Sequence, residues 1–203
     1  MRAPGWPVEL AEGPVGVRPL RLRDGPAWTE IRRRNASWLT GWESTPPDAP
    51  RADIASAAVF TTMTRGLRRQ AREGTALPFA VTYEGILVGQ LTIGNVVHGS
   101  LNSGYAGYWI DQRVAGRGVT PTALARVVDH CFTRVGLHRI EANIRPENTA
   151  SRRVVEKLGF RDEGLRLRYL HIDGAYRDHL CYAITAEEVP GGLLRRWRAR
   201  QAT

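Results

Sequence analysis

The stretch from Tyr105 to Phe160 constrains this chain most, because strand, glycine turn, helix, strand and short helix follow one another with little slack. Tyr105 to Asp111 reads as a strand, and Arg113 to Thr120 supplies two glycines in Gly116-Arg117-Gly118. Val119, Ala123, Leu124, Val127, Val128, Cys131, Phe132 and Val135 then recur at the three-and-four spacing of a helix. Pro121 suits the first turn of that helix. Arg139 to Ile144 follows as a second strand, Asn148 stands where a helix cap belongs, and Leu158-Gly159-Phe160 ends the next helix with a left-handed glycine and a core aromatic. Glycine lets the main chain approach an anion closely, and a first helical turn offers unpaired N–H groups at the positive end of its dipole. Arg117 adds a permanent charge. These residues make a site for a phosphate-bearing group, although a Gly-x-Gly taken alone is more often a plain strand-to-helix turn.

The rest of the chain alternates in the same way. Val15 to Leu20 reads as a strand, and Asp24 with Pro26 opens a helix that sets Trp28, Ile31, Asn35, Trp38 and Leu39 roughly along one face. Trp38 and Trp42 belong to the core or to a groove wall. Thr45-Pro46-Pro47-Asp48-Ala49-Pro50 breaks the chain before a second helical region from Asp53 to about Arg72. Leu77 to Tyr83 and Ile86 to Val97 form a hairpin about Glu84-Gly85, with Gln90 and Thr92 on one face. Leu165 to Ile172 and Tyr176 to Ile184 form another about Asp173-Gly174. After Pro190-Gly191-Gly192, the segment with Leu193, Leu194 and Trp197 either docks as a terminal helix or frays.

Composition narrows the class. A chain of 203 residues with an ordinary apolar fraction is most often one domain with a real core. Its net charge of +9 rests on arginine, since Lys157 is the only lysine. A basic surface steers anions and favours RNA-bearing partners, or is merely solvated. Neither Arg32-Arg33-Arg34 nor the Arg195, Arg196, Arg198 and Arg200 cluster is interleaved as a nucleic-acid motif would be, so RNA contact is open but unsupported by a motif. The five histidines lack metal-like spacing, and no Gly-x-Ser-x-Gly occurs. Metal and acyl-enzyme chemistry are therefore not expected. Cys131 and Cys181 sit in apolar periodic segments and read as reduced core residues. The amino terminus lacks the apolar core of a signal peptide, and no apolar run is long enough for a bilayer. The expectation is a soluble, cytoplasmic protein without membrane contact.

The stretch Arg139-Ile140-Glu141-Ala142-Asn143-Ile144-Arg145-Pro146-Glu147-Asn148-Thr149-Ala150-Ser151, with Glu156-Lys157-Leu158-Gly159-Phe160, resembles the GCN5-related N-acetyltransferase (GNAT) superfamily. Ile172-Asp173-Gly174 and Tyr176-Arg177-Asp178-His179 make it most similar to the RimJ-like branch, which acetylates ribosomal-protein amino termini. The resemblance runs from about Val15 to Glu188. It implies an α/β fold with a mixed, mostly antiparallel sheet, splayed between two strands and flanked by helices. It implies one domain over residues 1–203, with a short N-terminal extension and a basic C-terminal tail. It implies acetyl-CoA as co-substrate and no metal. Cofactor contacts are then expected from Trp109, Ile110, Arg113, Ala115, Gly116, Arg117, Gly118, Val119, Thr120, Asn148, Ser151 and Lys157. Acceptor contacts are expected from Trp38, Tyr169, Tyr176 and Asp178, with Ser151 placed to give a proton to the departing thiol.

Departures from the family pattern bear on mechanism. The glycine turn usually reads Gln or Arg, two residues, Gly, one residue, then Gly or Ala; here those positions hold Ala115, Gly118 and Thr120. Where the related RimI branch places a glutamate base and a tyrosine acid, this chain has Asn143 and Val155. Glu141 shares a strand face with Asn143 and is either the base, acting directly or through water, or a structural carboxylate. Asn143 orients water or the acceptor. An α-amine has a pKa of about 7.7 to 8.0 against about 10.4 for lysine, so its neutral fraction at neutral pH is far larger. That favours a protein amino terminus, ribosomal in the resembled branch. The alternatives are an aminoglycoside or polyamine acetyltransferase and, from another class, a noncatalytic RNA- or CoA-binding protein.

Overall fold

The computed structural model describes residues 4–47 and 55–202. Asp48-Ala49-Pro50 of the Thr45-to-Pro50 breaker, and the Asp53 start of the second helical region, lie outside them. Eight strands form one sheet: β1 (Leu10–Glu12), β2 (Val15–Pro19), β3 (Leu77–Tyr83), β4 (Ile86–Val97), β5 (Ser103–Ile110), β6 (Arg139–Ile144), β7 (Arg161–Ile172) and β8 (Ala175–Thr185). Their order is β1-β2-β3-β4-β5-β6-β8-β7. Neighbours pair antiparallel except β5 and β6, which run parallel and need a crossover helix between them. That pairing lasts three rungs, Ser103 with Arg139, Gly104 with Ile140 and Tyr105 with Glu141. Beyond Tyr105, β5 stays with β4 as far as Ile110, while β6 stays with β8 as far as Ile144. The sheet therefore opens into a fork at its centre.

Helices cover both faces. α1 (Gly25–Arg34), α2 (Ala36–Leu39) and α3 (Ala57–Glu73) come before β3; α4 (Val119–His130) makes the crossover, and α5 (Thr149–Leu158) and α6 (Leu193–Gln201) follow. Strand alternation explains how one sheet serves two cores. Phe79 and Val81 of β3 join Leu91, Leu124, Ile140, Leu158 and Trp197 in the larger cluster. Ala80, between them, belongs to the smaller cluster of Leu20, Trp28, Ile31, Phe60 and Leu87. Gln90 lies on the smaller cluster's side, where its Oε1 accepts a 3.0 Å bond from the Trp28 indole and its amide donates to Thr92 Oγ1 at 3.4 Å.

Several expectations take a sharper form in three dimensions. The first helix breaks at Asn35, whose side chain is buried and turned to other use. The crossover helix continues as a π turn over Cys131–Val135. The N-terminal segment is packed, with Trp6 edge-on to Phe79 at 5.1 Å and His130 Nε2 2.8 Å from the Gly5 carbonyl oxygen. The C-terminal segment docks rather than frays, because Leu193, Leu194 and Trp197 are buried against the main core. Edge strand β7 is mostly exposed, and its register against β8 shifts twice, between Asp162 and Leu165 and between Arg166 and Leu170. Both cysteines are buried and free.

Candidate active site

The glycine turn begins where β5 ends. Asp111, 1% exposed, accepts bonds from Arg34 Nη2 at 2.7 Å, Asn35 Nδ2 at 3.1 Å, Arg113 N–H at 3.3 Å and Arg113 Nε at 3.1 Å. Burial alone pushes this carboxyl up, but the donors from Arg34, Asn35 and Arg113 outweigh it and hold the pKa down at about 2. Asn35 Oδ1 also receives the Gln112 N–H at 3.0 Å. The root of the turn is thus fastened to the break between α1 and α2.

Past this anchor the main chain opens. Gly116 and Gly118 have φ of +79° and +76°, conformations other residues rarely adopt. The Ala115 and Arg117 N–H groups turn back to Gln112 and Val114. Among the described residues no partner is found for the N–H groups of Gly116, Gly118, Val119 and Thr120, and the last two lie in the first turn of α4, beyond α-helical pairing. A Cβ on Gly116 would have nothing within 4 Å. Exposed Arg117 has no carboxylate partner among the described residues. Four donors and a cation beside open space fit a pyrophosphate. The absent Gln or Arg at Ala115 and Gly or Ala at Thr120 remove nothing from this main-chain cradle.

Across the fork, α5 starts with Asn148, whose Oδ1 accepts the Ser151 N–H at 3.0 Å. Its end is a Schellman close, with Phe160 N–H on Val155 O and Gly159 N–H on Glu156 O, both at 3.0 Å. Tyr108 of β5 donates to the Ser151 carbonyl at 3.2 Å, and burial raises its phenol well above the usual value. Ser151 is half-buried, and no partner for its hydroxyl is found among the described residues. Trp109 and Ile110 are half-buried on the last rungs of β5, and Lys157 is exposed on the final turn of α5.

Glu141 stands at the last paired rung. Its Oε1 accepts from Arg139 Nε at 2.9 Å and its Oε2 from Arg166 Nη2 at 3.2 Å, with Cys181 Sγ at 3.8 Å. Both oxygens are therefore engaged by guanidinium groups. Asn143 lies one step further on the same face, and its Oδ1 is buried without a hydrogen-bond partner.

The acceptor-side candidates spread over a second surface. Tyr169, 38% exposed, lies edge-on to His179 at 5.7 Å and beneath the Arg166 guanidinium at 5.0 Å. Tyr176, 56% exposed, is edge-on to His171 at 5.4 Å. Asp178 Oδ1 accepts the Arg168 N–H at 2.7 Å and so holds the kink in β7, where Arg168 has φ +49°. His179 is buried with Nδ1 2.9 Å from the Arg177 carbonyl oxygen, and burial lowers its pKa. Trp38 is half-buried on α2. The segment just after α2 is tied to the hairpin and to the end of β6: Thr45 N–H donates to His171 O at 2.9 Å, and Arg145 donates to Gly41 O at 2.8 Å while lying over the Trp42 ring.

Sequence reasoning missed the Asp111 anchor and the buried Arg32. Arg32 pairs with Glu43 and lies over the rings of both Trp28 and Trp109, at 5.4 and 5.2 Å; burial lowers its pKa to about 10. The apolar face that included Asn35 was the one available signal. A cleft of about 770 Å³ lined by Trp6, Leu20, Arg68 and Ala71 touches neither arm of the fork. Among the described residues no group of three His, Cys, Asp or Glu side chains is placed to hold a metal, and no helix is long and apolar enough to cross a membrane.

Comparison with known proteins gives this geometry a family. An acetyltransferase (GNAT) domain model matches residues 15–161. The solved Mycobacterium smegmatis RimJ in complex with CoA-disulfide is 46% identical, with a TM-score of 0.93 over 99% of this chain and 98% of that one. The [ribosomal protein uS5]-alanine N-acetyltransferase of Escherichia coli (strain K12) is 36% identical over 123 residues, 59% of this chain and 63% of that protein. YjcK of Bacillus subtilis (strain 168), named a probable N-acetyltransferase, is 38% identical over 98 residues, 48% of this chain and 54% of that protein. The matched stretches thus span between half and two thirds of these two curated relatives. The domain model takes in the cradle, the fork and all of α5, and on that match this chain belongs to the GNAT family of acetyltransferases.

Proposed function

We propose that this enzyme transfers an acetyl group from acetyl-CoA to the α-amine of a protein amino terminus, that of a ribosomal protein, and that residues 1–203 act as one domain. The observation that carries the reading is the fork between β5 and β6, with unpaired main-chain donors on one arm and an open aromatic surface beside the other. The likeness to RimJ and to the uS5-alanine enzyme supports the acceptor class.

In this reading the N–H groups of Gly116, Gly118, Val119 and Thr120, with Arg117, hold the pyrophosphate. Trp109, Ile110 and Asn148 flank the arm of the cofactor, Ala115 supplies main chain, and Arg113 and Lys157 border the mouth. Bound acetyl-CoA supplies the thioester carbonyl and the thiolate that leaves. The Ser151 hydroxyl gives a hydrogen bond to that thiolate, or passes it a proton while taking the one that the acylated nitrogen sheds. The orphaned Asn143 Oδ1 accepts a bond from the incoming amine and turns its lone pair toward the carbonyl. Glu141 takes the amine's proton through water only by loosening its hold on Arg139 or Arg166, so the low pKa of an α-amine carries most of the deprotonation. Trp38, Tyr169 and Tyr176 line the acceptor path, and Asp178 shapes it through the kink in β7.

The test is CoA release from acetyl-CoA with an alanine- or serine-starting ribosomal peptide, the same peptide blocked at its amino terminus, an aminoglycoside and a polyamine. Turnover that needs the free terminus is expected. Turnover on the aminoglycoside or polyamine alone would replace the acceptor class, and salt-sensitive RNA binding without any turnover would favour a noncatalytic protein.

A further inference from the structure

We propose that α6 forms the outer wall of the acetyl-CoA site and that Arg200 binds the ribose 3′-phosphate of the cofactor. The inference rests on the cofactor reading above, and it concerns a helix beyond the residues matched by the family model.

Three attachments fix α6 in place. The N–H groups of Leu193 and Leu194 donate to the two Asp129 oxygens at 2.6 and 3.1 Å, closing its first turn on α4. The buried Trp197 indole donates to Thr122 Oγ1 at 2.9 Å, and the Thr122 N–H makes a helical bond to Gly118 O at 3.1 Å. Arg200 Nη1 donates to Lys157 O at 2.6 Å and, beside the Gly159 N–H, to Glu156 O at 3.3 Å, adding a cation to the carbonyl end of α5.

The helix therefore reaches from the cradle to the end of α5. A Cβ on Gly118 would lie 3.3 Å from Gln201 Nε2, and one on Gly159 would lie 3.3 Å from Arg200 Nη2. Arg117, Lys157 and Arg200 border this wall, and none has a carboxylate partner among the described residues. The neighbouring Glu156 carboxylate pairs with Arg152 at 3.6 Å. Three uncompensated cations exceed what one pyrophosphate on main-chain donors requires. In CoA the 3′-phosphate is one ribose away from the pyrophosphate, so a ligand held by the cradle keeps that dianion beside this wall. A guanidinium suits the place, since one edge holds the α5 carbonyls while its charge remains for phosphate.

The test is calorimetric Kd for CoA and for 3′-dephospho-CoA with the full chain, Arg200→Gln, Arg200→Lys and the control Arg65→Gln on the exposed side of α3. The unaltered protein should bind CoA about tenfold more tightly than dephospho-CoA. Arg200→Gln keeps a donor for the Lys157 carbonyl, so it should melt near the parent temperature while the ratio falls below about twofold through loss of CoA affinity. Arg200→Lys should recover part of the ratio, and Arg65→Gln should leave it unchanged. Equal affinity of the parent for both ligands would overturn the proposal. So would a proportional loss for both ligands in Arg200→Gln, which marks a helix cap and nothing more. If the parent binds neither ligand, the cofactor reading itself fails and takes this one with it.

Discussion

The two arms of the fork are held by opposite means. On the cradle side, the proposed binding groups are main-chain N–H donors, and a buried carboxylate with three side-chain partners fixes the loop that carries them. On the acceptor side, half-exposed rings stand on a kinked edge hairpin, steadied by a few contacts from the segment after α2. Main-chain donors do not depend on side-chain identity, which is why Ala115 and Thr120 leave the cradle intact although both depart from the family pattern. The acceptor surface has no such protection. On the proposed reading each exchanged ring would alter the acceptor surface while leaving the acetyl-donor site as it is.

The sharpest way to break this contrast is a charge in the cradle. Gly118→Glu should abolish acetyl-CoA binding in calorimetry, because it sets a carboxylate among the phosphate donors at a φ of +76° and against Gln201. Unchanged affinity would mean that the cradle binds nothing anionic. Next in size is the anchor. Asp111→Asn should cost about 3 kcal/mol in urea unfolding, since it leaves Arg34 facing a neutral amide. The Asp111 pKa is held below its ordinary value of 3.8, so its stabilising share is present above that value and fades as pH falls toward 2. The variant should therefore lose less stability than the parent between about pH 4 and pH 2; parallel curves would show that the carboxylate is not held as described.

Ser151→Ala should lower kcat by roughly a hundredfold with KM for acetyl-CoA nearly unchanged. A matched loss in both would make the hydroxyl a positioning group for the cofactor. The smallest effect belongs to the acceptor side. Tyr176→Ala should raise the peptide KM about fivefold, in keeping with roughly 1 kcal/mol for one aromatic contact, and leave acetyl-CoA affinity alone. A change in cofactor affinity instead would show that the two arms are coupled.

What the sequence disclosed follows the same division. Local rules placed the glycine turn, the Asn148 cap, the Leu158-Gly159-Phe160 close and both hairpins, because each depends on residues a few positions apart. The Asp111 anchor joins residues 76 and 77 positions apart and has no local signature. Of Arg32-Arg33-Arg34, one is buried over two tryptophans, one holds Asp111 and one is exposed, a sorting that only the packing of α1 decides. The docking of α6 stayed open for a related reason: its apolar residues were visible, but the Thr122 and Asp129 partners lie on another helix.

The double register shift in β7 also bears on behaviour in concentrated solution. A twelve-residue strand at the rim of a sheet offers a row of free main-chain groups to any passing strand, and Leu165, Leu167 and Tyr169 are exposed on this one. The shifts on either side of Arg166, the positive φ of Gly164 and the left-handed Arg168 interrupt that row before it reaches the length that stable strand addition requires. The same irregularity that shapes the strand carrying Tyr169, proposed above as an acceptor contact, thus works against neighbouring molecules zipping together along their rims.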